Sequence, residues 1–266
     1  MYKKYLIMNT DKLSSSPKAL VTGFSSGIGF AYSKYLAKEN WNLELVAQSK
    51  TKAENAFTSL SHPRSRYHLS DLSKPEGVKD ICDKIRDPDL IIANAGITKY
   101  GEVGSLNSQD RKDLFYLLCL GVIDLLEEYV PLMVSRGGGR IIIVSSIGAI
   151  TPMPKSSIYA SAKSAIYSYG QSLAKELSSK NISVTVSLPG YVHSEAHSRA
   201  GLDHLKDKVP KWMWVSAEQV VIETEKASLQ KKTEVIPGLV YKLVRPFLKM
   251  SIANKIWNKI TRRRKS

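Results

Sequence analysis

The chain carries the segment Lys18-Ala-Leu-Val-Thr-Gly-Phe-Ser-Ser-Gly-Ile-Gly29, followed by a helical pattern at residues 30–38. This order predicts a short apolar strand, a glycine turn and a helix. Gly23 permits the tight turn, Gly27 lets the backbone approach a pyrophosphate, and Gly29 lets the helix pack closely on the strand. Free N–H groups at the helix N-terminus would bind phosphates. The segment therefore predicts a Rossmann-type βα unit rather than a turn that merely needs flexible residues.

Outward from this unit, apolar strand patterns and amphipathic helical patterns alternate along the chain. The strand patterns lie at residues 43–47, 67–70, 90–93, 140–145, 183–188 and 234–237, and the helical patterns at 51–61, 76–86, 108–135 and 159–179. The pattern at 90–93 is entirely apolar, which is typical of a central parallel strand. The alternation predicts an α/β fold in a single domain, a Rossmann-type doubly wound parallel sheet of about seven strands with helices on both faces.

Five distinctive positions fall at the carboxyl ends of predicted strands. They are Gly23, Asp71, Asn94, Ser146 and Pro189. Ligands of doubly wound sheets bind in the crevice outside those ends. The sequence therefore predicts, from location alone, that these residues share one binding edge.

Tyr159 and Lys163 stand four residues apart in Tyr-Ala-Ser-Ala-Lys, thirteen residues after Ser146. On a helix this spacing puts the phenol and the ammonium on one face, one turn apart. A free tyrosine has a pKa of about 10, and a nearby positive charge lowers that pKa toward the working range. With the Ser146 hydroxyl holding a carbonyl oxygen, the three side chains could exchange a proton with an alcohol or ketone. An isolated YxxxK pattern also occurs on ordinary exposed helices, so this interpretation depends on the glycine turn as well.

From residue 19 to residue 238 the chain resembles the short-chain dehydrogenase/reductase family. The matching pieces are Thr22-Gly23-x-x-x-Gly27-Ile28-Gly29, Asp71-Leu72, Asn94-Ala95-Gly96, Ser146, Tyr159, Lys163 and Pro189-Gly190-Tyr191-Val192-His193-Ser194. The resemblance implies an enzyme that moves a hydride between a nicotinamide and a carbon bearing oxygen, and so interconverts a ketone or aldehyde and an alcohol. It implies that Tyr159 exchanges the proton, that Lys163 lowers the tyrosine pKa and bonds the nicotinamide ribose, and that Ser146 orients the substrate oxygen.

The predicted cofactor contacts extend over the whole strand edge. They are Gly23, Ser25, Ser26, Gly27, Ile28, Gly29, Gln48, Ser49, Lys50, Asp71, Leu72, Asn94, Ala95, Gly96, Tyr159, Lys163, Pro189, Gly190, Val192 and Ser194. No carboxylate follows the second strand, where an NAD site usually has one for the ribose hydroxyls. Ser49 and Lys50 could bind a 2′-phosphate there, which favours NADP(H) over NAD(H). Gln48 takes the place of an arginine found in many relatives, and a solvated surface lysine is the alternative for Lys50.

Leu118 departs from the family pattern. Many members carry an asparagine three residues before a glycine in the long helix, and it anchors a water in a proton relay. This chain has Leu118-Cys-Leu-Gly121 at that point, and leucine can bond no water. A cofactor-binding regulatory or scaffold protein with weak catalysis is therefore the alternative function.

Length and composition limit the number of domains, the cellular compartment and the kinds of site that are expected. At 266 residues the chain fits one large α/β domain, predicted at residues 17–238 after a loose N-terminal extension at 1–16. Two cysteines, Cys82 and Cys119, indicate buried thiols in a reducing compartment, hence a cytoplasmic location. The histidines are scattered, so no metal site is expected. No apolar run is long enough to span a bilayer.

Residues 195–215 are predicted to form a lid over the substrate. Trp212, Met213 and Trp214 lie in it. In the family the matching stretch covers the substrate, so these side chains suggest an apolar or lipid-like substrate surface. Packing of the lid onto the core remains the alternative for them.

The predicted tail, residues 239–266, is basic and amphipathic. The chain has 39 Lys and Arg against 24 Asp and Glu, a net charge of +15, and residues 238–266 hold nine basic residues and no acidic one. Such a segment is typical of binding to an anionic membrane surface, with a docked helix and solvated basic end as the alternative. No nucleic-acid module is recognisable. Expected partners are thus a small carbonyl or alcohol substrate, a further copy in a homodimer or homotetramer as the family implies, and a membrane surface met peripherally.

Overall fold

A seven-stranded parallel sheet forms the centre of the computed structural model, which describes residues 16–193 and 209–245. Its strands are β1 (Lys18–Thr22), β2 (Asn42–Ala47), β3 (Ser65–Leu69), β4 (Leu90–Ala93), β5 (Gly139–Val144), β6 (Ile182–Ser187) and β9 (Glu234–Val235). The spatial order is β3-β2-β1-β4-β5-β6-β9. The chain adds β2 and β3 on one side of β1 and then continues with β4 on the other side. The crevice in which doubly wound sheets bind ligands therefore lies between β1 and β4.

Helices cover the sheet. They are α1 (Gly27–Lys38), α2 (Lys50–Leu60), α3 (Pro75–Lys84), α4 (Ser108–Phe115), α5 (Gly121–Arg136), α6 (Ser157–Glu176), α7 (Ala217–Leu229) and α8 (Leu239–Val244), with a π-helix at Tyr116–Leu120 and 3-10 turns at Ile147–Ala149 and Lys211–Met213. Helix α1 packs on α7, and α5 packs on α3 and α6. The predicted single-domain α/β fold with a flanked parallel sheet is confirmed.

The central strands are buried on both faces. All of β4 is buried, as its apolar sequence predicts, and Leu20, Ile91 and Ile142 in three adjacent strands are fully buried. Burial of such side chains supplies the main driving force for folding, about 1.5–3 kcal/mol each. The thiols of Cys82 and Cys119 are free and buried, as predicted. The rigid sheet fixes the carboxyl ends of β1, β4 and β5, on which the site is built.

Two features of the helices differ from the sequence prediction. The predicted long helix at 108–135 is interrupted by the π-helix Tyr116–Leu120 before it ends at Arg136, where Gly137 takes a left-handed conformation (φ 86°). Helix α7 was not predicted, although Ser216 caps it by accepting a hydrogen bond from the Gln219 N–H at 3.0 Å. A capping serine before a helical pattern is a recognisable start signal.

A two-stranded parallel sheet joins the ends of the predicted lid region. Strand β7 (Tyr191–Val192) pairs with β8 (Trp214–Val215). Most of the lid, the N-terminal extension up to residue 15 and the tail from residue 246 lie outside the described residues. Within the described parts of the chain, no helix combines the length and apolar character that crossing a membrane requires.

Candidate functional site

The glycine turn lies at the crevice between β1 and β4. Gly23 (φ 71°) and Gly27 (φ 57°) take left-handed conformations that favour glycine. A Cβ on Gly29 would lie 2.2 Å from the Gly23 carbonyl oxygen, so only glycine lets α1 approach β1 this closely. The turn therefore has the backbone geometry that the sequence predicted for a dinucleotide site.

A cavity of about 410 Å³ opens beside this turn, within the usual size range of small-molecule sites. Twelve predicted cofactor contacts line it: Gly23, Ser25, Ser26, Gly27, Ile28, Gln48, Ser49, Asp71, Leu72, Asn94, Ala95 and Gly96. The structure thus brings together the residues that follow four different strands. Their clustering supports a nucleotide-shaped ligand along the strand edge.

Hydrogen bonds of Asn94 and Thr22 connect the carboxyl ends of β1 and β4 at the crevice. The Asn94 side-chain amide donates to the Thr22 carbonyl at 2.9 Å and to the Gly23 carbonyl at 3.3 Å. The Thr22 hydroxyl accepts from the backbone N–H groups of Asn94 and Ala95 at 2.9 and 3.0 Å. Asn94 therefore ties the end of β4 to the end of β1.

Asp71 also organises its own loop. One of its carboxylate oxygens accepts from the Ser73 N–H at 3.0 Å and from the Ser73 hydroxyl at 2.7 Å. This turn presents Asp71 and Leu72 to the cavity. Both residues therefore line the cavity just after the end of β3.

Tyr159 and Lys163 lie on the same face of α6. The Lys163 Nζ is 6.0 Å from the centroid of the Tyr159 ring and donates a hydrogen bond to the Val144 carbonyl at 2.8 Å. Burial lowers the pKa of Lys163 to about 8, because the ammonium loses its hydration. At neutral pH most Lys163 side chains still carry a charge, so a cation is available beside the tyrosine.

Ser146 and Ser145 have different surroundings at the end of β5. The Ser145 hydroxyl donates to the Lys163 carbonyl at 2.8 Å and thereby ties β5 to α6. The Ser146 hydroxyl accepts from the Gly148 N–H at 3.1 Å and keeps its own proton available for donation. The Ser145 hydroxyl is therefore used within the fold, and the substrate-orienting role of Ser146 stays a prediction.

The loops after β5 and β6 meet at the same edge. The Ile147 N–H donates to the Pro189 carbonyl at 2.9 Å, which places Ser146 beside the Pro189-Gly190 segment. A Cβ on Gly190 would lie 1.9 Å from the Tyr241 ring. Tyr241 itself accepts from the Tyr191 N–H at 2.9 Å and donates to the Met213 carbonyl at 2.6 Å. Gly190 thus makes room for a tyrosine of α8, a role that the sequence analysis missed.

Leu118 lies next to the predicted catalytic residues. It is buried in the π-helix, and a Cβ on Gly96 would lie 2.9 Å from Leu118 Cδ2 and 3.9 Å from Lys163 Nζ. Single-turn π-helices occur often at functional sites. The apolar Leu118 side chain thus takes up space beside the ammonium at a point where a polar side chain could hold water.

Lys50 and Lys52 lie differently with respect to the cavity. Lys50 begins α2, its side chain is 73% exposed and lies 4.0 Å from Glu54, and it does not line the cavity. Lys52, two residues later on the same helix, does line it. Side chains two residues apart on a helix point about 200° apart, so only one of the two can face the ligand. The helical phase of α2 was the signal that would have identified Lys52.

The other predicted contacts do not line this cavity. Gly29 packs behind the turn, and Tyr159, Lys163, Pro189, Gly190 and Val192 lie at the neighbouring ends of β5 and β6 and on α6. Ser194 lies outside the described residues. Among the described residues, no three His, Cys, Asp or Glu side chains cluster as metal ligands would.

Comparisons with known proteins extend these observations. The family model described as short chain dehydrogenase matches residues 17–204. Nodulation protein G of Rhizobium sp. strain N33 is 31% identical over 197 residues, covering 72% of this chain and 77% of that protein. The 3-oxoacyl-(acyl-carrier-protein) reductase FabG of Chlamydia trachomatis is 27% identical over 218 residues, covering 79% and 88%.

Two solved structures share the fold at low identity. A short-chain dehydrogenase from Sphingobium yanoikuyae in complex with NADPH has a TM-score of 0.79 at 23% identity, covering 94% of this chain and 98% of that one. A Burkholderia phymatum protein in complex with NAD has a TM-score of 0.79 at 16% identity, covering 92% and 95%. Because the two complexes hold different cofactors, the fold alone does not select one.

Proposed function

The chain belongs to the short-chain dehydrogenase family, and we propose that it reduces an apolar ketone or aldehyde with NADPH. As a member of that family it is an NAD(P)-dependent oxidoreductase that interconverts carbonyl and alcohol groups. The observation that supports the proposed chemistry most is the position of the Lys163 ammonium, 6.0 Å from the centre of the Tyr159 ring. This pair lies at the strand edge that also carries the cofactor cavity.

The three predicted catalytic side chains have distinct roles in the proposed reduction. Bound NADPH would supply the hydride. The Tyr159 hydroxyl donates its proton to the oxygen of the forming alcohol, and the charge on Lys163 stabilises the phenolate that remains. The Ser146 hydroxyl donates a hydrogen bond to the same substrate oxygen and so orients the carbonyl. In the reverse direction Tyr159 accepts the proton from the alcohol.

A preference for NADPH is supported by the side chains after β2. Gln48, Ser49 and Lys52 line the cavity there, and none of them carries a negative charge that would repel a 2′-phosphate. Lys99 also lines the cavity, but it follows β4, which is two strands away from β2 in the sheet. Lys52 is therefore the cation that we assign to the 2′-phosphate.

Cofactor kinetics test this assignment with a matched control on the same helix. The ratio of kcat/KM for NADPH to kcat/KM for NADH would be measured in wild type, Lys52→Gln and Lys50→Gln. We expect Lys52→Gln to reduce the ratio about tenfold or more, because a charge-assisted contact to phosphate contributes about 1.5–3 kcal/mol. Lys50→Gln should leave it unchanged. An effect of Lys50→Gln equal to that of Lys52→Gln would refute the assignment.

The proposed apolar substrate rests on aromatic side chains near the Pro189-Gly190 segment. The rings of Tyr191 and Trp214 lie 5.5 Å apart, and His193 stacks on Trp214 at 4.8 Å. Met213 is buried in the core, so it serves packing, the alternative that the sequence left open for it. A panel of ketones, aldehydes and 3-oxoacyl thioesters of increasing chain length would test the substrate class. Turnover that falls as the apolar chain lengthens would contradict the proposal.

A cofactor-binding protein with weak catalysis is the second candidate function, and the buried Leu118 beside Lys163 favours it. Purified protein that binds NADPH but turns over no carbonyl would establish this candidate. The variant Leu118→Asn then tests whether the low rate comes from the missing polar side chain at this position or from another step. An increase in turnover would show that a missing polar group at this position limits proton transfer, whereas no increase would assign the low rate to another step.

Two further properties follow as proposals. Leu120 and Leu132 remain exposed on the helical segment that runs from the π-helix into α5, and this surface supports a homodimer or homotetramer. The free, buried thiols support a cytoplasmic location. Light scattering on the purified chain measures the mass directly, and a monomer at micromolar concentration would contradict the oligomer. Fractionation of cells that express the chain would test the location.

A further inference from the structure

One tyrosine of helix α8 connects two loops near the predicted catalytic residues. Tyr241 is fully buried, and its hydroxyl accepts from the Tyr191 N–H at 2.9 Å and donates to the Met213 carbonyl at 2.6 Å. Burial raises the pKa of Tyr241, because a phenolate would lose its hydration. The hydroxyl therefore keeps the proton that it donates, while its lone pairs accept. A single side chain thus joins β7 to the 3-10 turn that precedes β8.

The ring of Tyr241 packs on the backbone of the loop after β6. A Cβ on Gly190 would lie 1.9–2.4 Å from three carbon atoms of the ring, so the ring occupies the space that any larger residue would need. Helix α8 itself is attached to α7, where Glu223 accepts from the Gly238 N–H at 3.2 Å and pairs with Lys242. Tyr241 therefore acts on this loop from a helix that is fixed to the domain.

The same loop is hydrogen-bonded to the residue that follows Ser146. The Ile147 N–H donates to the Pro189 carbonyl at 2.9 Å. The peptide group that joins Ser146 to Ile147 is therefore fixed to the loop after β6. Gly190, the next residue of that loop, is the one that packs on Tyr241. Consecutive contacts thus lead from α8 to the serine that is predicted to orient the substrate.

We propose that Tyr241 is a positioning residue for Ser146, which holds residues 189–191 so that the Ser146 hydroxyl meets the carbonyl oxygen of the substrate. This inference rests on the proposed reduction and assigns part of its rate to a side chain of α8. Without the Tyr241 hydroxyl, the Tyr191 N–H and the Met213 carbonyl lose this partner, and the backbone shifts to satisfy them. A small displacement of an orienting group lowers the rate, because the bound carbonyl leaves its productive geometry.

A double-mutant cycle tests whether Tyr241 acts through Ser146. The value of kcat at saturating NADPH would be measured in wild type, Tyr241→Phe, Ser146→Ala and the double variant. Phenylalanine keeps the ring against Gly190 and removes only the hydroxyl. We expect Tyr241→Phe to lower kcat about tenfold in wild type but about twofold or less in Ser146→Ala, because the lost contact acts only through the serine hydroxyl. Equal losses in both backgrounds would overturn the proposal.

Tyr169→Phe is the matched control for this cycle. It removes the hydroxyl of another tyrosine, which donates to Glu127 at 2.7 Å on the exposed side of α6. This variant should keep the kcat of wild type. A loss as large as that of Tyr241→Phe would also overturn the proposal, because removal of any tyrosine hydroxyl would then have the same effect.

Amide hydrogen exchange tests the same connection without a substrate. Tyr241→Phe should speed exchange at the amides of Tyr191 and Ile147 about tenfold or more, while Ile92 in β4 exchanges as in wild type. Unchanged exchange at Ile147, or faster exchange at Ile92 as well, would overturn the proposal. A wild type that reduces no carbonyl would contradict the proposed function, whereas the exchange rates still decide whether Tyr241 holds the backbone beside Ser146.

Discussion

Replacing Lys163 by methionine is expected to stabilise the protein while it removes catalysis. Lys163 is buried in α6, and its ammonium has one carbonyl contact, at 2.8 Å from Val144, to offset the loss of hydration. Methionine keeps a similar unbranched shape and carries no charge. The substitution therefore removes a desolvation penalty that the wild-type fold bears for the sake of its proposed chemistry.

The magnitude follows from the pKa. Burial lowers the pKa of Lys163 from 10.5 to about 8, which corresponds to about 3 kcal/mol at neutral pH. Loss of the hydrogen bond to Val144 destabilises the variant by about 1 kcal/mol, which offsets part of this gain. The net gain is about 2 kcal/mol, or a rise in Tm of about 4–8 °C for a domain of this size. A surface change, Lys175→Met on the same helix, should leave Tm unchanged.

The sign of the pH dependence makes the test specific. Between pH 8 and 10.5 the unfolded chain binds a proton at Lys163 that the folded chain does not, so wild-type stability rises with pH over this window. The variant lacks this contribution, so its advantage should be full at pH 7 and nearly gone at about pH 9.5. Thermal unfolding without cofactor, monitored by circular dichroism at each pH, measures the stability of the wild type and of the variant. A variant less stable than wild type at pH 7, or a difference independent of pH, would refute the reasoning.

Three further predictions concern other parts of the domain. Tyr159→Phe should lower kcat about 10²- to 10⁴-fold in the reductase assay and retain the thermal shift with NADPH, whereas loss of that shift would indicate a binding role. Gly190→Ala should destabilise the fold by about 1–3 kcal/mol in denaturant titrations, because the new methyl meets the Tyr241 ring; a Tyr241→Leu background should reduce this cost, and an unchanged cost would contradict the clash. Arg140→Met should cost about 3–5 kcal/mol, since it leaves the buried Glu225 without its partner at 2.7 Å, and Arg140→Met/Glu225→Met should recover most of the loss.

The central architecture could be predicted because its signals are local. The all-apolar strand at 90–93 and the glycine turn at 23–29 specify buried strand and turn conformations without help from distant residues. The spacing of Tyr159 and Lys163 likewise needs only a helix, and both side chains lie on the same face of α6. The fold and the core of the site therefore follow from short-range pattern and known topology rules.

The missed features depend on contacts between distant segments or on helical phase. Strands β7 and β8 contain two residues each, too few for a period, and they form only because the loops after β6 and before α7 meet. Which of Lys50 and Lys52 lines the cavity depends on where α2 begins, and sequence patterns locate helix starts poorly. The role of Gly190 becomes visible only with Tyr241, fifty-one residues later, in place against it.

Through the contact between Tyr241 and the Gly190 region, helix α8 supports the segment that lies beside the proposed catalytic residues. A protease cut after Gly238 would separate α8 from the rest of the domain and so withdraw the Tyr241 phenol from the amide of Tyr191 and the carbonyl of Met213. The space beside Gly190 would then be empty, and the segment next to Ser146 would lose its support. Cleavage at this single point would therefore weaken the proposed reaction centre without changing any of its residues.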